Sequence, residues 1–225
     1  MDSTLALKEL FSQFKTALKN YDKRTCIRLV KDALNQKSFT IPEIYEGVLA
    51  KSLYDIASND KEQEIGIWQE HIQSGIVRTV IESSYPYLLD SKGEDFISRP
   101  VAMVFCPEEE YHELGARMCT DFLTIIGFNS YFIGANTPKE EAFLALKVLK
   151  PVVVSISVTN FYHLSRLQEL IDELKGFVST ADVDDFKILL GGYAIDHTPQ
   201  VKDKIKVDYF IRSFEDLLHI KENIL

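Results

Sequence analysis

Cysteine is scarce in this chain, and its placement excludes several kinds of site. The 225 residues include three cysteines, Cys26, Cys106 and Cys119, which stand far apart and form no Cys-x-x-Cys or other zinc-binding spacing. An odd number of scattered cysteines is typical of reduced thiols rather than of a disulfide framework. We therefore predict a cytoplasmic protein without disulfide bonds and without a structural zinc site.

Long apolar runs and basic tracts are missing as well. No stretch approaches the roughly 20 apolar residues of a membrane-spanning helix. The first residues, MDSTLALKELFSQF, include acidic side chains, which a signal peptide lacks. The chain has 25 Lys and Arg against 34 Asp and Glu, with a formal net charge of −9 and no long basic segment. Because nucleic-acid binding depends on neutralising phosphates, we expect neither a nucleic acid nor a membrane as a direct partner.

What is present divides into two parts with different periodicities. Over residues 1–89 apolar side chains recur at helical spacing, which predicts a four-helix bundle. The predicted helices are 7–18, 26–34, a third that begins at the capping box 40–43 and continues to about 56, and a fourth over 67–85 that Pro86 ends. Residues 90–100, DSKGEDFISRP, are polar and contain glycine and proline, as is typical of an interdomain linker.

From residue 101 to residue 225, short apolar runs alternate with helical segments. The predicted strands are 101–105, 129–133, 151–157, 186–190 and 207–211. This alternation predicts an α/β domain with an open, five-stranded parallel sheet built from right-handed βαβ units. In such a sheet, ligands bind beyond the carboxyl ends of the strands, where the strand order reverses.

Residues suited to ligand binding follow three of these strands. They are Glu110, His112 and Gly115 after the first strand, Ser155 and Thr159 at the end of the third, and Gly191 and Gly192 at the end of the fourth. A carboxylate near a metal-binding histidine accepts a hydrogen bond from the imidazole nitrogen that does not bind the metal. Hydroxyl groups bond a polar ligand, and glycines let the backbone approach it closely. The histidines at 163, 197 and 219 have no partner at a useful spacing, and we expect them on the surface.

A flavin or dinucleotide site is the main structural alternative for a sheet of this kind. Phosphate binding after the first strand requires a glycine-rich loop such as G-x-G-x-x-G. The corresponding loop here is CPEEEYHELG, which is acidic and contains a single glycine. A phosphate would be repelled there, so this alternative is disfavoured.

The pattern of these strand ends resembles the cobalamin (vitamin B12)-binding domain. His-x-x-Gly, Ser-x-x-x-Thr and Gly-Gly after strands one, three and four are the marks of that family, which includes methionine synthase, corrinoid methyl-transfer proteins and B12-dependent photoreceptor regulators. The resemblance implies a flavodoxin-like sheet that receives the nucleotide tail of the cofactor, with His112 as the lower axial ligand of cobalt. Glu110 stands where the family usually has Asp, although its light-sensing branch often has Glu. The tail-lining roles fall to Gly115, Ser155, Thr159, Gly191 and Gly192.

The family often places a four-helix bundle before the sheet as a cap, so the resemblance extends over nearly the whole chain. The segment EIGIWQEH, residues 64–71, resembles the start of the capping helix in photoreceptor and regulator members. Glu70 and His71 match their Glu-His pair near the upper ligand, and Trp68 lies on the same helical face as His71. Cobalamin is then expected between bundle and sheet, with His71 as an upper axial ligand. The tryptophan that the photoreceptor branch has further upstream is replaced here by Ser58-Asn59-Asp60.

Two functions follow from this resemblance. The first is a cobalamin-binding sensor that responds to light or to cobalamin and signals through a protein partner, such as a transcription factor, or through self-association. The alternative is a corrinoid carrier that shuttles methyl groups between methyltransferases. In both cases the chain is expected not to be an enzyme by itself. The form of the cofactor, adenosyl-, methyl- or hydroxocobalamin, stays open.

Overall fold

The computed structural model describes residues 3–61, 66–89, 98–180 and 184–224. The chain divides into two compact units, Met1–Gly93 and Glu94–Leu225. Most of the predicted linker at 90–100 lies outside the described residues. In the ranges that are described, no helix combines the length and the apolar character needed to cross a membrane.

The first unit is helical, as predicted. Its elements are α1 (Ser3–Lys19), α2 (Lys23–Asn35), α3 (Ile41–Ile44), a π-helical segment (Tyr45–Ala50), α4 (Lys51–Lys61) and α5 (Ile67–Leu89). The predicted capping box is present, since Thr40 and Glu43 bond each other's backbone N–H groups. The π-helical segment, which joins α3 directly to α4, is a feature that the apolar spacing does not reveal.

The predicted end of the fourth helix at Pro86 is wrong. Helix α5 continues through the proline to Leu89, although the missing N–H of Pro86 removes one hydrogen bond to the preceding turn. The residues after the proline are held by contacts with the rest of the unit. Leu88 is 1% exposed, and the Tyr87 hydroxyl lies 2.9 Å from Asn35 Oδ1 in α2.

The second unit is the predicted α/β domain. Its elements are β1 (Val101–Pro107), α6 (Leu114–Ile126), β2 (Asn129–Thr137), α7 (Lys139–Leu149), β3 (Val153–Ser157), a 3₁₀ helix (Phe161–Ser165), α8 (Leu167–Thr180), β4 (Lys187–Gly191), α9 (Tyr193–Asp196), α10 (Val201–Lys204), β5 (Tyr209–Ile211) and α11 (Phe214–Ile224). The five strands form one parallel sheet in the order β2-β1-β3-β4-β5. The predicted fold class is therefore confirmed.

The second strand is longer than its apolar run. The predicted strand covered residues 129–133, but β2 continues through Gly134 to Thr137. Its pairing with β1 shifts register after Val104, and Gly134 has a φ of +139°, a conformation that favours glycine. The glycine thus lies at an irregularity inside the strand rather than at its end.

The strand order decides where a ligand site can form. The chain moves outward from β1 to β2 and then crosses back to β3 on the other side of β1. The loops after β1 and β3 therefore diverge at the carboxyl edge of the sheet, which is the topological switch point. Residues 108–113 and 158–160 lie in these two loops.

Candidate functional site

The loop after β1 is held in a tight turn at the carboxyl edge of the sheet. Glu109 has a φ of +65°, and its N–H donates to Asn136 Oδ1 at 2.7 Å. The N–H of Asn136, near the end of β2, donates to the carbonyl oxygen of Glu110 at 2.8 Å. These bonds fix the backbone on both sides of Glu110, so its side chain turns inward.

The Glu110 carboxylate is the centre of the site. Its side chain is fully buried, and it accepts four N–H groups. Oε1 lies 3.0 Å from the backbone nitrogen of His112 and 2.6 Å from its Nδ1. Oε2 lies 2.9 and 2.8 Å from the backbone nitrogens of Thr159 and Asn160. One carboxylate thus joins the loop after β1 to the loop after β3.

These bonds decide the charge of Glu110. Burial by itself would raise the pKa of the carboxyl group, but the hydrogen bonds from His112, Asn160 and Thr159 outweigh it and lower the pKa from 4.5 to about 2. Glu110 is therefore an anion at neutral pH. An anion at this position accepts hydrogen bonds only, so Nδ1 of His112 carries a proton.

The contact with Glu110 leaves most of the His112 side chain exposed. The residue lies in the loop just before α6, and its side chain is 62% exposed. With the proton on Nδ1, the neutral ring has its lone pair on Nε2, the nitrogen that faces away from the carboxylate contact. A histidine oriented by a carboxylate is the usual form of a metal-binding histidine, because the hydrogen bond fixes the tautomer and raises the basicity of the ligand.

The remaining predicted residues of the α/β unit lie around this pair in different environments. Gly115 is exposed in the first turn of α6, and a side chain added there would meet no atom within 4 Å. Ser155 is buried in β3, with its Oγ 3.5 Å from Cys119 Sγ. Thr159 acts through its backbone N–H, which holds Glu110. The sequence had instead suggested that the Thr159 hydroxyl would bond the ligand.

Gly191 and Gly192 are required by the protein's own backbone. A Cβ at Gly191 would lie 2.8 Å from the carbonyl oxygen of Ile211, and one at Gly192 would lie 2.4 Å from that of Val158. Gly192 also has a φ of +111°. The two glycines therefore let the ends of β3, β4 and β5 pack closely together. This requirement holds whether or not the glycines also contact a ligand.

In the helical unit, the three predicted residues lie in the first two turns of α5. The Trp68 side chain is 61% exposed and packs obliquely on the Tyr21 ring, with centroids 6.0 Å apart. Nδ1 of His71 lies 2.5 Å from Glu70 Oε2, and the His71 side chain is 71% exposed. This pair repeats the carboxylate–imidazole arrangement of Glu110 and His112. The segment EI at 64–65 and the side chains of Ser58-Asn59-Asp60 lie outside the described part of the chain.

Two residues beside Glu110, His163 and Asn160, were not predicted from the sequence. His163, expected on the surface, lies in the 3₁₀ helix after β3 with a side chain that is 11% exposed, and its Nε2 is 3.9 Å from Glu110 Oε2. The signal that could have found it is its position in the loop that enters the switch point. Asn160 was missed for the same reason, since it contributes through its backbone.

The residues present fit a corrinoid cofactor. His112 offers a single nitrogen donor, oriented by a buried anion, as would suit a metal whose other positions are filled by a macrocycle. The open space at Gly115 leaves room beside the ligand for a bulky group. No phosphate-binding glycine loop follows β1, because the loop there is acidic.

Comparisons with solved structures find proteins of similar fold. The monomethylamine corrinoid protein of Methanosarcina barkeri is similar over 97% of this chain and 99% of its own, with 18% identity and a TM-score of 0.76. A cobalamin-binding protein from Desulfitobacterium hafniense matches at 16% identity over 96% and 98% of the two chains, with a TM-score of 0.47. The methanol:cobalamin methyltransferase complex of M. barkeri matches at 15% identity over 96% and 79%, with a TM-score of 0.45. The similarity to the monomethylamine corrinoid protein shows the fold alone, because the identity is low.

The sequence itself matches a known family in both units. The profile of the B12 binding domain matches residues 100–219, and a second profile, also described as a B12 binding domain, matches residues 10–83. No curated protein has significant sequence similarity to the chain. Since the first profile spans more than half of its length, the chain belongs to the B12-binding-domain family, and cobalamin is its cofactor.

Proposed function

We propose that this protein is a corrinoid carrier, which holds a methyl group on cobalamin between two separate methyltransferases. The observation that carries the proposal is the similarity of the whole chain, both units included, to the fold of a protein described as a corrinoid protein. From the sequence alone, the carrier was the alternative to a cobalamin-binding sensor. It now takes precedence over the sensor, whose photoreceptor branch finds no support in the comparisons.

In this proposal the residues of the α/β unit hold the cofactor. His112 would be the lower ligand of cobalt through Nε2, and Glu110 would keep its tautomer and orientation. Gly115, Ser155, Thr159, Gly191 and Gly192 would line the space for the nucleotide tail. Bound cobalamin supplies a cobalt atom that can carry a methyl group, and the protein supplies binding and orientation.

The site suggests which steps this chain performs and which steps its partner enzymes perform. Glu110 is fully buried and saturated with N–H donors, so it is suited to positioning rather than to proton transfer with a substrate. We infer that the chain carries the methyl group and that partner methyltransferases bind the methyl donor and the methyl acceptor. The partner is thus expected to be an enzyme rather than a transcription factor.

The exposed pair in α5 keeps the sensor as a second candidate. Nδ1 of His71 is bonded to Glu70, and most of the ring is exposed, as is suitable for an upper ligand of cobalt. In a sensor, loss of the upper ligand would let His71 bind and would change the conformation or the self-association of the chain.

The deciding experiment loads the protein in the dark with methylcobalamin or adenosylcobalamin, removes unbound cofactor and then illuminates it. Light breaks the weak cobalt–carbon bond in any such complex, so the absorption spectrum changes in both cases and does not discriminate. The elution volume does. A carrier is expected to elute unchanged and to accept a methyl group, after reduction, from a partner methyltransferase. A changed elution volume that His71→Ala abolishes would favour the sensor.

The same preparation tests the lower ligand. His112→Ala is expected to bind hydroxocobalamin at least tenfold more weakly or with a shifted absorption maximum. His219→Ala is the matched control, because His219 lies in α11 with a side chain that is 75% exposed. An unchanged spectrum and affinity in His112→Ala would remove His112 as the ligand.

A further inference from the structure

A second histidine faces the buried carboxylate. Nε2 of His163 lies 3.9 Å from Glu110 Oε2, whereas His112 bonds the other oxygen, Oε1. This nitrogen is shielded from solvent and has no hydrogen-bond partner among the described residues. A buried polar atom without a partner is costly, so such an atom in a native fold calls for an explanation.

The loop that carries His163 already holds Glu110. Thr159 and Asn160 donate their backbone N–H groups to Oε2, and the 3₁₀ helix begins at the next residue, with Asn160 Oδ1 accepting the N–H of Tyr162. The backbone N–H of His163 donates to the carbonyl oxygen of Asn160. The position of the His163 ring therefore follows from the same turn that clamps the carboxylate.

Electrostatics decides which ring nitrogen of His163 carries the proton. If the proton were on Nδ1, the lone pair of Nε2 would face an anion across 3.9 Å, which is repulsive. With the proton on Nε2, the contact is attractive. A movement of less than about 1 Å would then give a hydrogen bond of ordinary length. His163 and His112 are thus expected to have opposite tautomers, both facing Glu110 with an N–H group.

We propose that His163 is a positioning residue of the lower-ligand pair: its Nε2–H holds the Glu110 carboxylate in the orientation whose other oxygen accepts from His112. The effect on cobalt passes through two contacts, from His163 to Glu110 and from Glu110 to His112. This inference rests on the proposed role of His112 as the lower ligand, whereas the tautomer of His163 can be tested without cofactor.

The first test is NMR of the cofactor-free protein labelled with ¹⁵N in its histidine rings. The five histidines are assigned with single variants, His163→Gln among them. We expect a proton on Nε2 of His163, in either a neutral or a charged ring, and a proton on Nδ1 of His112. A neutral His163 ring protonated on Nδ1 alone would overturn the proposal. Because no cobalamin is present, the result does not depend on the proposed function.

The second test measures hydroxocobalamin affinity and the absorption maximum of the complex. His163→Leu removes the N–H donor, and its Kd is expected to rise about tenfold with a shifted spectrum. His163→Gln places an amide N–H₂ at a similar reach and is expected to stay within about twofold of the wild type, as is the control His219→Leu. Equal losses in the Leu and Gln variants would indicate a steric role and overturn the proposal.

A double variant separates positioning from general packing. In Glu110→Gln, the anion that His163 holds is gone, so adding His163→Leu is expected to cause no further loss of affinity. Additive losses would contradict the proposed pathway through Glu110. If His112→Ala leaves the spectrum unchanged while His163 has its Nε2 proton, the lower-ligand assignment fails and the contact between His163 and Glu110 stands.

Discussion

Oε1 of Glu110 lies 2.6 Å from Nδ1 of His112, and the two side chains differ completely in exposure: the carboxylate is fully buried and the imidazole is 62% exposed. The buried partner is fixed by three backbone N–H groups in addition to the ring. The exposed partner is therefore held rigidly although it lies at the surface. Such preorganisation is what a metal ligand needs before the metal arrives.

Replacing Glu110 by Gln is expected to damage both the loop and the ligand. An amide has one acceptor oxygen and one donor nitrogen. The amide nitrogen would therefore face an N–H donor, either that of His112 or those of Thr159 and Asn160. We expect cobalamin affinity to fall by about 10-fold to 100-fold. Equilibrium titration with hydroxocobalamin measures this effect. An affinity equal to that of the wild type would show that the carboxylate does not orient the ligand.

Gly115→Ala is expected to separate cofactor binding from folding. The Cβ would meet no atom within 4 Å in the protein, and alanine favours the helix, so the free energy of unfolding of the cofactor-free protein should stay equal or rise by about 0.5 kcal/mol. If the cofactor occupies the open space, affinity should fall at the same time. Urea unfolding and cobalamin titration of one preparation check both. Unchanged affinity would place the cofactor away from Gly115.

Gly192→Ala, unlike Gly115→Ala, is expected to destabilise the cofactor-free protein. Its φ of +111° and a Cβ 2.4 Å from the carbonyl oxygen of Val158 require the backbone to move. We expect a loss of at least about 2 kcal/mol in the free energy of unfolding, even without cofactor. Urea unfolding followed by circular dichroism measures it. Stability within about 0.5 kcal/mol of the wild type would contradict the structural requirement for glycine.

Asp208 predicts a pH dependence that is independent of the cofactor. Burial raises the pKa of this carboxyl group, but the N–H of Ile188, together with Lys175 and Lys187, lowers it below 3.8 overall. A lowered pKa in the folded state gives stability that is present above the unfolded-state pKa and is lost as the pH falls from there through the folded-state pKa. Asp208→Asn should therefore cost about 1–2 kcal/mol at pH 7 and less at pH 3. Urea unfolding at both pH values tests this, and an equal cost would refute it.

The periodicity of the sequence was sufficient for the architecture. Apolar spacing predicted the helical unit and the parallel sheet, because burial of one helical face or of a whole strand leaves a local pattern in the chain. The errors were also local. Pro86 does not end α5, since tertiary contacts of Tyr87 and Leu88 hold the last turn, and β2 continues past Gly134 through an irregularity.

For the site, the sequence by itself pointed to Glu110 and His112, which stand two positions apart and whose residue types suit a metal ligand and its partner. Only the tertiary structure decided which groups hold that pair. Backbone N–H groups have no residue type, so Thr159 and Asn160 could not be recognised as the donors to Glu110. His163 is 53 positions from the carboxylate it faces, and only the crossing of β3 beside β1 brings the two together.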